Sequence, residues 1–211
     1  MHTGMGKFIL SVVDTILARQ SQPFIEGEID EAELASICRC ALTAPDHKGL
    51  RPWRFILCGP THKAHLQKLI IEATVAEGET DRAEQAARVA RKLGFAPHIV
   101  ICLLKIDRSG IVPEIEQVLS AGAAIQNMIV AAESLGYCCF LKTGAWAYSA
   151  SVRARLGLSD DTAITGFLGL GTSASERGLA NKTKRPPFGE HFEHFEAWLA
   201  RVEAQALHVA S

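Results

Sequence analysis

The stretch Ala44-Pro45-Asp46-His47-Lys48-Gly49-Leu50-Arg51-Pro52-Trp53-Arg54-Phe55 decides how the chain is read. Two prolines and a glycine punctuate it, so it is a connection between one element that Pro45 stops and another that opens after Pro52. Upstream, Asp30 caps a helix, with Glu33 at the capping-box position and Leu34, Ile37 and Ala41 as its apolar face. Downstream, Trp53-Arg54-Phe55-Ile56-Leu57-Cys58 reads as a strand closed by Gly59-Pro60. On composition alone the stretch is either a surface turn whose Trp53 starts a core strand, or a polar, cationic loop held by two rigid elements, the usual place for a site.

Working outward, Leu10, Val13, Ile16 and Leu17 recur at helical spacing and predict a first amphipathic helix, ended by Pro23 and Gly27. A partly charged helical stretch covers about 62–93, with a break near Gly78. Pro97 then opens His98-Ile99-Val100-Ile101-Cys102-Leu103-Leu104, whose unbroken apolar character predicts a strand buried on both faces. Pro113 and Glu114 precede a helix reaching Leu135. Its segment Ser120-Ala121-Gly122-Ala123-Ala124 permits close packing on another helix, of the same subunit or of a second one. Gly136 ends that helix. Strands are expected over 137–142 and 163–170, a short helix over 149–156, a basic loop over 181–187 and a last helix near 194–206. Helices separate the strands, so the class is an α+β or α/β layered domain, with 1–211 as a single domain.

With 211 residues, 48% hydrophobic and 21% charged, the chain is neither disordered, collagenous nor a coiled coil. Roughly 70% of its unfolded surface can be buried without disulfides or structural metal. Its 22 basic and 23 acidic side chains give no polyanion-binding signal, so neither nucleic acid nor an anionic membrane is an expected partner. Lys7-Phe8-Ile9-Leu10-Ser11-Val12-Val13 mimics a short signal core, but Asp14 interrupts it. The apolar stretch 118–132 contains Gln126 and Asn127 and is too short to span a bilayer. Cys38, Cys40, Cys58, Cys102, Cys138 and Cys139 fit no zinc framework, and buried free thiols suit a reducing cytoplasm. Cys138 and Cys139 would point to opposite faces of a strand, which argues against a redox dithiol. The pairs His62 with His65 and His191 with His194 lack an H-E-x-x-H order, so no metal is expected. The absence of a G-x-S-x-G elbow, a Walker loop and a G-x-G-x-x-G fingerprint weakens hydrolase, ATPase and separate NAD-domain readings.

The order Ala-Pro-Asp-His-Lys, then Pro-Trp and an aromatic strand, resembles the FMN-dependent nitroreductase superfamily, and specifically its small YdjA-like branch. Three more segments match in the same order, so the resemblance covers 16–171. Arg19-Gln20-Ser21 stands where the family has an Arg-Arg-Ser that grips the flavin phosphate. Leu141-Lys142-Thr143-Gly144 takes the position of a Trp-Arg-Ser-Gly-like flavin segment. Gly166-Phe167-Leu168-Gly169-Leu170-Gly171-Thr172 matches the late strand and its glycine-rich exit. The resemblance implies an α+β fold: a layered α/β/α domain with a central mixed, mainly antiparallel sheet, working as a homodimer with its sites across the interface.

It further implies FMN as cofactor and NAD(P)H as reductant. FMN carries a dianionic phosphate and a ring whose reduced form tends to bear negative charge near N1, so cations are needed at two places. Arg19 offers forked donors and Ser21 a hydroxyl and amide to the phosphate, with Gln20 where the family's second Arg stands. Lys142 would lie near the pyrimidine end of the ring and Thr143 would hydrogen-bond it, with Leu141 in the place of a ring-packing Trp. Thr43, where close relatives have Arg, and His47 would approach the flavin from the other subunit. Residues 131–136 correspond to the region associated with the nicotinamide nucleotide. Pro23, Gly49 and Arg51 depart from the family pattern, and Lys182, Lys184 or Arg185 could supply another phosphate ligand. The implied activity is ping-pong reduction of nitroaromatic, quinone or similar small planar acceptors, with the flavin N5 carrying the hydride and no side chain acting as a covalent catalyst. Residues 71–91 would be a substrate lid. Alternatives on the same scaffold are ene reduction, dehalogenation, fragmentation of reduced flavin by oxygen, and a non-catalytic, regulatory flavin binder.

Overall fold

In the computed structural model, which describes residues 11–22, 25–76, 82–173 and 185–209, the elements in chain order are α1 (Val12–Ala18), α2 (Glu31–Ala41), β1 (Trp53–Cys58), α3 (Lys63–Ala76), α4 (Arg82–Leu93), β2 (His98–Lys105), α5 (Glu114–Ser134), β3 (Cys138–Lys142), α6 (Ala145–Tyr148), α7 (Ala150–Arg155), β4 (Thr162–Gly171) and α8 (Phe195–Val209). The chain divides into two compact units, Met1–Ala180 and Asn181–Ser211. All four strands belong to the first. The second holds α8, with the exposed rings of Phe188 and Phe192 stacked at 4.5 Å before it.

The strands form one sheet in the order β1-β2-β4-β3, antiparallel at each of its three ladders. The mainly antiparallel sheet expected by resemblance is thus present, and no parallel pair occurs among the described residues. From His98 to Leu104, β2 is buried at every position, because the alternation of a strand sends its side chains into two different cores. Val100, Cys102 and Leu104 join Leu168 and Leu170 of β4 and the apolar faces of α2 and α5, including Ile37, Ala41, Ala124 and Met128. Ile99, Ile101 and Leu103 join Ile164 and Phe167 with Ile70 of α3, Val89 and Leu93 of α4, and Val152 of α7. The layers are therefore helix, sheet, helix, an α+β fold.

Several local expectations hold for the reasons given. The Asp30 carboxylate accepts from the Ala32 and Glu33 amides at 2.9 and 3.3 Å and starts α2, while the Glu33 carboxylate takes the Tyr137 hydroxyl at the foot of β3. Gly136, at φ 83, ends α5 in a left-handed turn in which the Tyr137 amide returns to the Ala132 carbonyl at 2.9 Å. The six cysteines are free, Cys138 lying in one core and Cys139 in the other. No helix among the described residues is long and apolar enough to cross a membrane.

One expectation needs correction. The described residues of 71–91 do not form a lid: Ala73 of α3 and Val89 of α4 are fully buried on the sheet, so these helices are structural, and 77–81 lie outside the described residues. The short helix expected over 149–156 is α7, capped by the Ser149 hydroxyl through the Val152 amide, and α6 precedes it as a separate turn. In α1 the apolar residues face outward. Val12, Val13, Ile16 and Leu17 are exposed and only Thr15 is buried; Leu10 lies outside the described residues.

His98 is the one buried titratable group at the start of β2. Its Nε2 accepts the Ile29 amide proton at 3.2 Å, which requires an unprotonated Nε2. Burial lowers its pKa from the ordinary 6.5, with Lys63 adding to the shift and Glu28 opposing it. The folded state thus favours the neutral ring, so this contribution is complete above the unfolded value and is lost as the pH falls below it. The thermal midpoint should fall between pH 7 and 5, and His98→Gln should remove that fall; a midpoint that is flat with pH in the wild type would contradict this assignment.

Candidate functional site

The end of β3 is where the sheet stops being apolar. Phe140 and Lys142 face the α4 side, whereas Cys139 and Leu141 face α5. The Lys142 Nζ donates to the Lys92 carbonyl at 3.2 Å, lies 3.8 Å from the centroid of the Phe95 ring and 5.4 Å from that of Phe140. Among the described residues no carboxylate pairs with it. Burial, then the neighbouring Lys92, pushes its pKa below the ordinary 10.5. Lys142 and Thr143 line a narrow cavity with Lys92, Trp146 and Phe167. Gly144, at φ 122, turns the chain out of β3 into α6. A half-buried ammonium without a counter-charge, beside an aromatic and a hydroxyl, suits a flat or anionic ligand more than solvent.

Glycine sets this arrangement from below. A Cβ on Gly169 would stand 2.1 Å from Cε2 of Phe95 and 2.8 Å from the Ala96 Cβ. The bare backbone of β4 therefore lets Phe95 lie against the sheet, edge-on to Phe140 at 6.0 Å, and the Lys142 ammonium rests on that ring.

The other sequence-derived residues fall in two places. Arg19 caps α1, its amide donating to Thr15 at 3.0 Å. The chain then runs extended past β3, with the Gln22 amide on the Cys139 carbonyl at 3.1 Å. Arg19 and Gln20 are half-buried and Ser21 is exposed. The Arg19 charge is near enough to Cys139 to act against the rise that burial gives that thiol. Thr43 and His47 lie instead along α5. The Thr43 hydroxyl accepts from Asn127 Nδ2 at 3.2 Å and donates to the Cys40 carbonyl at 2.8 Å. The His47 Nδ1 is 2.6 Å from Oε2 of Glu116 in the first turn of α5. Trp53 joins the same helix, its indole N–H donating to the Ser120 hydroxyl at 3.2 Å. Leu141 packs toward α5, away from Lys142. Lys182 and Lys184 lie outside the described residues, and Arg185 is exposed in the second unit.

Lys92, Phe95, Glu116 and Asn127 were not singled out from the sequence. Their partners are 47 to 84 residues away along the chain, so no local spacing marks them. No group of three His, Cys, Asp or Glu side chains among the described residues could hold a metal.

Comparisons with known proteins agree with this architecture. The model of the nitroreductase family matches residues 19–172. A protein of Escherichia coli K12 named "Putative NAD(P)H nitroreductase YdjA" is 31% identical over 176 residues, covering 83% of this chain and 93% of its own. Among solved structures, a nitroreductase-like family protein from Bacillus cereus superposes with a TM-score of 0.77 at 22% identity, over 89% of this chain and 97% of its own. The FMN- and NADPH-dependent nitroreductase NfnB from a Sphigopyxis strain gives 0.68 at 21% identity, over 88% and 99%.

Gly169→Ala should cost about 1–3 kcal/mol of stability, the range for overpacking a core. Urea unfolding measures it, and a change below about 0.5 kcal/mol would show that Phe95 does not rest on that glycine as described.

Proposed function

Since the chain belongs to the nitroreductase family, in its YdjA-like branch, we propose that it is an NAD(P)H-dependent FMN oxidoreductase that reduces nitroaromatic, quinone or similar small planar acceptors. When bound, FMN supplies the two-electron redox chemistry; the protein supplies placement and charge. The single observation that carries the reading is the Lys142 ammonium: half-buried, with no carboxylate on it among the described residues, its charged form disfavoured by burial and by Lys92. An anionic group beside it would relieve that penalty, so the donor set fits a flavin. By likeness to the family, Arg19, Gln20 and Ser21 hold the phosphate, Lys142 and Thr143 the ring, and Leu141 packs near it. Thr43 and His47 reach the flavin of the other protomer.

In this reading Lys142 keeps its proton at Nζ and presents a fixed positive charge, and the Phe95 and Phe140 rings exclude water from its stem. The Glu116 carboxylate fixes the His47 ring through Nδ1 and leaves Nε2 as the atom that can face a ligand. Reductant and acceptor use one open face in turn, a ping-pong scheme needing no second nucleotide domain. The homodimer is part of the proposal. It is supported by the exposed apolar rows of α1 (Val12, Val13, Ile16, Leu17) and α5 (Ile115, Val118, Leu119), which no described residue covers. So is the reading of 1–211 as one nitroreductase-like domain, and a cytoplasmic setting, which the free thiols suit.

Purified protein should take up FMN one per chain and turn yellow, and NADH or NADPH added without oxygen should bleach that band; a yellow protein that neither nucleotide bleaches would leave a flavin binder rather than an enzyme. Arg19→Ala should weaken FMN about tenfold or more, the loss of one charge-assisted contact, with the flavin-free protein still unfolding in one cooperative transition. Unaltered FMN affinity would remove Arg19 from the phosphate site.

A further inference from the structure

Where β1 begins, β2 ends and β4 begins, a cleft of about 470 Å³ opens between two short segments. Arg51 and Arg54 line it from one segment and Lys105 and Arg108 from the other, and Asp107 and Asp161 line it as well. Four cations thus share the cleft with two carboxylates, and the carboxylates have donors of their own. Asp107 accepts the Ser109 amide at 2.7 Å, and Asp161 accepts the Ser159 hydroxyl and, at 3.3 Å, that of Thr162. These contacts hold both below the usual carboxylate range. The Lys105 Nζ is 3.9 Å from Asp161, too far for a hydrogen bond. Arg108 uses one arm of its guanidinium on Glu114, at 2.8 Å. Arg54 uses Nη1 on the Arg51 and Trp53 carbonyls, at 2.7 and 2.8 Å, and keeps Nε and Nη2.

Arg51 is the unusual member. Its φ is 51°, in the left-handed region that a residue with a Cβ adopts only under constraint. The constraint comes from both sides: its amide donates to the Asp46 carboxylate at 2.6 Å, and its carbonyl accepts from Arg54. Its guanidinium, by contrast, makes no hydrogen bond or ion pair among the described residues. A strained backbone clamped twice, carrying an unpaired arginine into a basic cleft, is the arrangement expected where a ligand and not the fold selects the side chain.

We infer that this cleft binds a phosphate monoester, its terminal oxygens bridging the Arg51–Arg54 segment and the Lys105–Arg108 segment. A tetrahedral dianion offers oxygens to both segments at once, and forked guanidinium donors match them. The volume exceeds that of a bare phosphate and falls in the range of small-ligand sites, so an organic group esterified to the phosphate fits over Pro52 and Ile106. The inference does not depend on the flavin reading, because none of these residues is assigned to FMN.

The test is calorimetric titration of the full chain, flavin-free and FMN-saturated, with inorganic phosphate, 2′-AMP and adenosine. Both phosphates should bind in either state, adenosine should not, and raising the salt should weaken binding. Tighter binding of 2′-AMP assigns the site to a nucleotide-borne phosphate, whereas equal affinities assign it to free phosphate. Arg51→Gly should weaken phosphate at least tenfold while the thermal midpoint stays level or rises, because glycine is unstrained at that φ. Lys105→Gln, on a residue with ordinary backbone, should weaken it several-fold. Failure of both phosphates to bind, or an Arg51→Gly protein that binds them as the wild type does, would overturn the proposal.

Discussion

Seven successive side chains of β2 have no face toward water, and the rest of the first unit follows from that constraint. A strand buried on both sides must be the middle of a sheet with helices on each face, so α2 and α5 cover one side and α3, α4 and α7 the other. Polar chemistry is then confined to the rims, where strands end and loops begin. Lys142 at the end of β3, and Arg51, Arg54 and Lys105 around the β1, β2 and β4 termini, are where the apolar pattern gives out.

At the β3 rim two opposed effects act on Lys142. Attraction to an aromatic face is worth about 0.5–2 kcal/mol and favours the ammonium, while burial and the nearby Lys92 disfavour it. Burial first and Lys92 second lower its pKa from the ordinary value. The same residue in contact with a carboxylate would be an ordinary structural ion pair. Without one among the described residues it is a charge awaiting a counter-charge, and Gly169, by letting Phe95 approach the sheet closely, keeps it in place. Where β1 begins and β2 ends, four cations line the cleft with two carboxylates, which leaves the cations in excess.

Much of the fold could be read from the residues because its signals are local. The apolar run of β2, the Asp30 cap, the Pro45 and Pro52 punctuation and the Gly136 exit each act within a few residues of themselves. The order and antiparallel sense of the strands could not be read this way, since pairings such as Trp53 with Leu104 join distant segments. The 71–91 stretch misled because the charged faces of α3 and α4 dominate its composition, while buried Ala73 and Val89 are inconspicuous. Of the candidate site, the residue types came from family resemblance. Their supports did not: Phe95 under Lys142, Glu116 on His47 and Asn127 on Thr43 are tertiary contacts without a sequence signature. The outward apolar face of α1 was legible as an amphipathic stripe, but its exposure was not.

The most direct measurement of the central claim, that Lys142 is a partly desolvated cation whose missing counter-charge is the flavin, is an NMR titration of its Nζ in protein labelled at lysine, with and without FMN. In the flavin-free chain its pKa should lie below 10.5, and saturation with FMN followed by reduction of the bound flavin without oxygen should carry it upward while leaving the exposed Lys68 unmoved. A Lys142 that titrates at the same pH in both samples would contradict the account.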